Sequence, residues 1–156
     1  MLFSWSGGNG HAQEGMLTGG SNPSGRRDFV LASTTPLNGV RVLVVEDSWH
    51  LASALKSIVE NGGMEVVGSA ATLAEAERFL DSSEPDMAIV DVNLQGEETY
   101  GLIEQLVARG IPVIIISGYE VLPAVTDLAD AVLKKPIRAS ALLSTLQRIA
   151  AKRETQ

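Results

Sequence analysis

The chain has 156 residues, 45% of them hydrophobic and 20% charged, which is enough for one domain with a buried core. A net charge of −7 argues against non-specific binding to nucleic acid or to anionic membranes, which needs basic patches, and the absence of cysteine rules out disulfides, thiolate metal sites and cysteine nucleophiles. No apolar run reaches the roughly 18 residues of a membrane span. The N-terminus has no cationic stretch ahead of an apolar one, so no secretory signal is expected, and a reducing, cytoplasmic setting fits.

Residues 1–38 stand apart. They are rich in Gly, Ser and Asn, as in Ser6-Gly7-Gly8-Asn9-Gly10 and Gly19-Gly20-Ser21-Asn22-Pro23, and no helical or strand period persists. Such a segment cannot bury enough surface to offset its ordering entropy, so it reads as a disordered extension. Translation from Met16 or later would remove part of it.

From Asn38-Gly39 onward the pattern is regular. Residues 40–45 form a β-branched, nearly all-apolar run, the mark of a strand buried on both faces. Leu51, Leu55, Ile58 and Val59 recur at helical spacing before a stop at Asn61-Gly62-Gly63. Residues 64–70 predict a second strand. Thr72 with Glu75 forms a capping-box pattern ahead of a helix through Leu80. Residues 87–90 predict the third strand, and Leu102, Ile103, Leu106 and Val107 a helix ending at Arg109-Gly110. Residues 111–116 predict the fourth strand, 121–130 a short, weak helix around Pro123, and 131–133 the fifth strand. Leu142, Leu143, Leu146 and Ile149 mark a last amphipathic helix, with Lys152 and Arg153 favouring its carboxyl end. The main domain is therefore expected over 39–152, with 153–156 a tail. Five strands alternating with five helices imply parallel strands joined by right-handed crossovers.

The chemistry gathers at the strand ends. The first strand ends in Glu46-Asp47, the third in Asp91, the fourth in Ser117-Gly118, and the fifth in Lys134-Lys135-Pro136. In a parallel sheet the carboxyl ends converge on one edge, where ligands bind. Hard oxygen ligands suit Mg²⁺, and Glu46, Asp47 and Asp91, with the carbonyl of Asn93, make a plausible partial shell. A carboxylate such as Asp91 can attack a phosphoryl group to give an aspartyl-phosphate. Charge then develops on three equatorial oxygens. These call for Mg²⁺, the compact ammonium of Lys135, and the hydroxyl of Ser117 with a nearby backbone N–H. Singly, each residue has an ordinary explanation: helix-end acids, a turn serine, a surface lysine. Together on the ends of four strands of one sheet they do not.

Residues 40 to about 151 resemble the receiver domains of response regulators, the CheY-like family. The resemblance rests on Val45-Glu46-Asp47-Ser48, Ile89-Val90-Asp91-Val92-Asn93-Leu94, Ile116-Ser117-Gly118 and Leu133-Lys134-Lys135-Pro136, in family order and spacing. It implies a flavodoxin-like α/β fold, a (βα)5 doubly wound parallel sheet with strand order 2-1-3-4-5. It implies Asp91 as phosphoacceptor, Glu46 and Asp47 as the Mg²⁺-holding acid pair, Ser117 as the switch hydroxyl and Lys135 as the conserved-type lysine. The implied partners are a sensor histidine kinase or a histidine phosphotransfer protein, and output by protein contact, including a phosphorylation-dependent homodimer. Neither nucleic acid nor membrane is an expected direct partner, and roughly 60 residues for a DNA-binding module are not available after Ile149. Two places depart from the family: the aromatic three residues before the lysine is Val132 here, with Tyr119 as a candidate substitute, and Asn93-Leu94-Gln95-Gly96-Glu97 lacks the common Leu-Pro after the phosphoacceptor.

Three other functions compete. A haloacid-dehalogenase-type phosphohydrolase also uses an aspartate nucleophile with Mg²⁺, but needs an Asp-x-Asp on its first strand, whereas Asp91-Val92-Asn93 follows the third. A flavodoxin-like redox module needs a phosphate loop where Glu46-Asp47 would repel phosphate. A degenerate, non-phosphorylated receiver would be expected to lack a residue type that is present here.

Overall fold

The computed structural model describes residues 37–156; the extension expected over 1–38 lies, as far as residue 36, outside them. The described elements run β1 (Arg41–Val45), α1 (Trp49–Asn61), β2 (Glu65–Ala70), α2 (Leu73–Ser83), β3 (Met87–Asp91), β4 (Asn93–Leu94), β5 (Glu97–Glu98), α3 (Tyr100–Ala108), β6 (Val113–Ser117), α4 (Pro123–Thr126), β7 (Ala131–Lys134) and α5 (Ala139–Glu154). The main sheet is ordered β2-β1-β3-β6-β7 and every pair in it is parallel. Setting aside the two-residue strands β4 and β5, this is the 2-1-3-4-5 order of the doubly wound flavodoxin-like fold.

Strand alternation splits the core into two layers. Leu43, Val45, Ala88, Val90, Val113 and Ile115 face one side, against Ala76 and Leu80 of α2 and Leu102, Ile103 and Leu106 of α3. Val42, Val44, Met87, Ile89, Ile114 and Ile116 face the other, against Leu55 and Val59 of α1 and Leu142, Leu146 and Ile149 of α5. Burial on both faces accounts for the unbroken apolar runs of the three central strands. On β2, Gly68 is buried beneath Phe79 of α2; a Cβ there would lie 2.6 Å from the ring.

Three elements differ from the sequence expectations. The fourth sheet strand begins at Val113, not at 111. The Ile111 N–H closes the end of α3 on Leu106 O, and Pro112, which has no N–H, offers its carbonyl to Ala88. The helix expected over 121–130 is one turn, Pro123–Thr126. Beyond it the Asp130 N–H reaches Val113 O (2.9 Å) and its carboxylate receives the Val113 N–H (3.1 Å), which draws the chain off the helix and onto β6. The hairpin β4–β5 was not expected: Asn93 pairs with Glu98 and Leu94 with Glu97 around Gln95-Gly96. Both turn residues have positive φ, 54° and 89°. A two-residue type I′ turn requires that at both central positions.

Candidate functional site

The expected residues are carried to the carboxyl edge of the sheet by β1, β3, β6 and β7. Glu46 follows β1 and is 2% exposed. Its N–H continues the sheet to Ala70 O (2.9 Å), and its Oε1 accepts the Ser48 N–H (2.9 Å), which turns the chain into α1. Ser48 then caps α1 by accepting the Leu51 N–H. Asp47, half-buried, accepts the Gln95 N–H at Oδ2 across the site (3.1 Å). Asp91 ends β3 and is buried, with Oδ1 accepting the Asn93 N–H (3.1 Å). Glu46, Asp47 and Asp91 each offer a carboxylate oxygen, and the three oxygens lie within 4.8 Å of one another.

Lys135 reaches into this cluster from beyond β7. Its Nζ is 2.6 Å from Asp91 Oδ2 and 3.2 Å from Glu46 Oε2. The contact to Glu46 has the distance of an ion pair but not the direction of a hydrogen bond, and Oε2 is a buried oxygen without a hydrogen-bond donor. A buried anionic oxygen lacking a donor, facing two further carboxylates, fits a hard cation such as Mg²⁺. The neighbouring Lys134 is exposed, and the Lys135–Pro136 peptide is cis.

The electrostatics follow from this crowding. Burial, helped by the charge of Asp91, lifts the Glu46 carboxyl from its ordinary 4.5 to about 7, against the opposing Ser48 N–H and Lys135. Burial alone would lower the Lys135 ammonium. The hydrogen bond that Lys135 donates to Asp91, with the negative charge of Asp91 and Glu46, outweighs it, and the ammonium is held above its ordinary value.

Ser117 ends β6 in register with Lys134 and is buried. Its hydroxyl is engaged with its own loop, accepting the Tyr119 N–H (3.0 Å) and donating to Tyr119 O (2.8 Å). Tyr119 is 78% exposed and Val132 41% exposed; both line an open groove of about 440 Å³ with Ser117 and Lys134. Trp49 is exposed beside the acid pair, its ring edge-on to His50.

Two residues of the site were not foreseen. Gln95 contributes through its backbone N–H, so no side-chain pattern could reveal it. Thr99 is fully buried and donates to Asp91 O (2.7 Å). A hydroxyl residue just before a helical run was the available signal, but it points first to a helix cap.

The model of the response regulator receiver domain matches residues 42–147, and the chain belongs to that family. The chain is 30% identical over 114 residues to the virulence transcriptional regulatory protein PhoP of Salmonella typhimurium, covering 69% of this chain and 50% of that protein. It is 34% identical over 84 residues to a protein-glutamate methylesterase/protein-glutamine glutaminase of Bradyrhizobium diazoefficiens, covering 53% of this chain and 23% of that protein. The chain thus spans half or less of these relatives, and the esterase match takes in only a receiver portion. Among solved structures, a CheY-like response regulator receiver domain protein from Methanospirillum hungatei superposes with a TM-score of 0.69 at 26% identity, over 76% of this chain and 98% of that one. Receiver domains of this family act in two-component signalling, with kinases or phosphotransfer proteins and downstream targets as partners, and bind Mg²⁺ at an acidic pocket. No described helix is long and apolar enough to cross a membrane.

Proposed function

We propose that this chain is a phosphoacceptor in a two-component or phosphorelay pathway, taking a phosphoryl group from a histidine kinase or histidine phosphotransfer protein on Asp91 and signalling by protein contact. One observation carries the reading: a buried aspartate at a strand end, flanked by an acid pair on one side and by a lysine ammonium at 2.6 Å on the other.

Glu46, Asp47 and Asp91 would hold Mg²⁺, with the Asn93 carbonyl as a further ligand; the bound ion supplies positive charge to a phosphoryl oxygen. An Asp91 carboxylate oxygen forms a bond to phosphorus as the P–N bond of the donor phosphohistidine breaks, and the leaving imidazole keeps the electron pair and takes a proton. In hydrolysis a water oxygen forms the new bond to phosphorus as the Asp91 O–P bond breaks, releasing the carboxylate and inorganic phosphate, with a proton of the water passing to solvent. Lys135 would pass its hydrogen bond from Asp91 to a phosphoryl oxygen, and Ser117 would turn its hydroxyl from Tyr119 toward the group. Both exchanges replace contacts that hold these side chains at rest, which gives phosphorylation a way to alter the neighbouring loops.

The test is intact mass after incubation with acetyl phosphate and Mg²⁺, on wild type and Asp91→Asn. One added phosphoryl group, dependent on Mg²⁺ and lost in the variant, is expected. No gain in wild type, or the same gain in Asp91→Asn, overturns the assignment.

A further inference from the structure

Thr99 is the first residue of α3's N-terminal cap, and it does not cap the helix. Of the three described helices with Ser or Thr at the N-cap, α1 is capped by Ser48 Oγ on the Leu51 N–H, and α2 by Thr72 Oγ1 on the Glu75 N–H. At α3 the Thr99 side chain makes no cap hydrogen bond. Its hydroxyl donates instead to the carbonyl of Asp91, eight positions back, in a fully buried contact of 2.7 Å. An unmade cap at such a position typically costs ~1 kcal/mol of helix stability. A buried hydroxyl diverted from its local use, to the residue at the centre of the site, marks a local rule set aside for a purpose elsewhere.

The hairpin explains how Thr99 comes to be there. After Asp91 the chain runs out through Asn93–Leu94, reverses at Gln95-Gly96 and returns through Glu97–Glu98. Leu94 is buried in the core and anchors the outward arm. The return arm delivers Thr99 with its N–H on Val92 O (3.1 Å) and its hydroxyl on Asp91 O. At the tip, the Gly96 N–H is held by Asn93 Oδ1 (2.8 Å) and the Gln95 N–H reaches Asp47 (3.1 Å). One loop therefore grips the backbone of Asp91 from behind and the carboxylate of Asp47 from in front.

We infer that Thr99 is a positioning residue for the Asp91 carboxylate: its hydroxyl fixes the Asp91 carbonyl, and with it the direction in which the side chain leaves β3. This deepens the phosphoacceptor assignment and rests on it. Thr99 touches no reacting atom. It acts through Asp91, and the sensitivity of displacement reactions to small misplacements of the nucleophile gives the contact its leverage.

Thr99→Val keeps the shape and removes the hydroxyl, and Thr99→Ser keeps the hydroxyl. Phosphorylation by acetyl phosphate is followed by intact mass at varied acetyl phosphate and Mg²⁺, at a temperature where circular dichroism shows each variant folded. The expected result is a maximal rate about tenfold lower in Thr99→Val, with half-saturating Mg²⁺ and acetyl phosphate within twofold of wild type, and recovery to within twofold in Thr99→Ser. Thr99→Ala carries the same comparison if Thr99→Val does not fold. A folded hydroxyl-less variant with the wild-type maximal rate overturns the inference while leaving Asp91 as phosphoacceptor. Wild type that gains no phosphoryl group, or Asp91→Asn that still gains one, removes both.

Discussion

Lys135 and Asp91 form a 2.6 Å ion pair that joins the ends of two strands not adjacent in the sheet, β3 and β7. The ammonium also faces Glu46, so one cation offsets two buried or nearly buried carboxylates. Removing one partner of such a cluster leaves uncompensated charge. In Lys135→Met the Glu46 carboxyl, already raised by burial and by Asp91, loses an opposing influence and rises further. The metal-free variant is expected to melt lower than wild type at pH 8, with the gap narrowing toward pH 5, and to gain more from added Mg²⁺. Parallel melting curves across that range would show that the lysine does not restrain the acid pair.

The raised Glu46 carboxyl is expected to give the metal-free protein a stability that depends on pH near neutrality. The carboxyl titrates at about 7 when folded and near 4.5 when exposed. Between these values the folded state binds the extra proton, so stability falls as pH rises from about 4.5 to 7 and levels off above. The Lys135 ammonium, raised in the folded state, contributes stability that is complete below the ordinary lysine value and lost only above it, so it adds no slope near neutrality. Glu46→Gln should flatten the profile and stabilise the metal-free protein at pH 8 by ~1–2 kcal/mol. Thermal melts of wild type and variant from pH 5 to 8 decide this.

On the proposed Mg²⁺ assignment, cation binding at the acid cluster expels that proton. Mg²⁺ affinity is expected to weaken as pH falls below 7, with proton release approaching one per ion bound. Calorimetry in two buffers of different ionisation enthalpy measures the release directly. Equal apparent heats in both buffers at pH 6 would mean that Glu46 is not in the ligand shell.

Gly68 tests the packing of α2 on the sheet. A Cβ there would meet the Phe79 ring at 2.6 to 3.0 Å, so Gly68→Ala should cost ~1–3 kcal/mol. Phe79→Leu in the same background should recover part of the loss. An unchanged urea midpoint in Gly68→Ala would show that the ring moves aside freely.

The hairpin turn offers a gain. Gln95 holds a left-handed φ of 54° before Gly96. Asn-Gly is the favoured pair for this turn, so Gln95→Asn should raise stability by ~0.5 kcal/mol and leave the backbone contact to Asp47 intact. A lower melting temperature would show that the Gln95 side chain does more than occupy the turn.

The sheet was legible because its central strands are buried on both faces: residues 42–45, 87–90 and 113–116 are apolar without a break, and each run ends abruptly in a polar residue. That same abruptness brought Glu46, Asp47, Asp91 and Ser117 into view, and the shorter run 131–133 before Lys134-Lys135-Pro136 did the same for Lys135. The hairpin was not legible, since two residues per strand leave no period to read and Glu97–Glu98 looks like solvated loop. Thr99 escaped because local rules assign such a hydroxyl to its own helix. Its partner is fixed only by the three-dimensional return of the chain. The weak helix around Pro123 was legible in kind but not in length, because its end is decided by Asp130 bonding to Val113, 17 residues away.

The order in which the sheet is assembled bears on synthesis. β3 lies between β1 and β6, and residues Met87, Ala88, Ile89 and Val90 are wholly sequestered in the finished fold. A nascent chain that has emerged only as far as α3 can pair β3 with β1, but its other flank stays open, apolar and unpaired until Val113–Ser117 follows. Open flanks of this kind recruit foreign strands. Fragments that stop before residue 113 should therefore associate with one another, and a pause in elongation just after α3 would prolong that exposure.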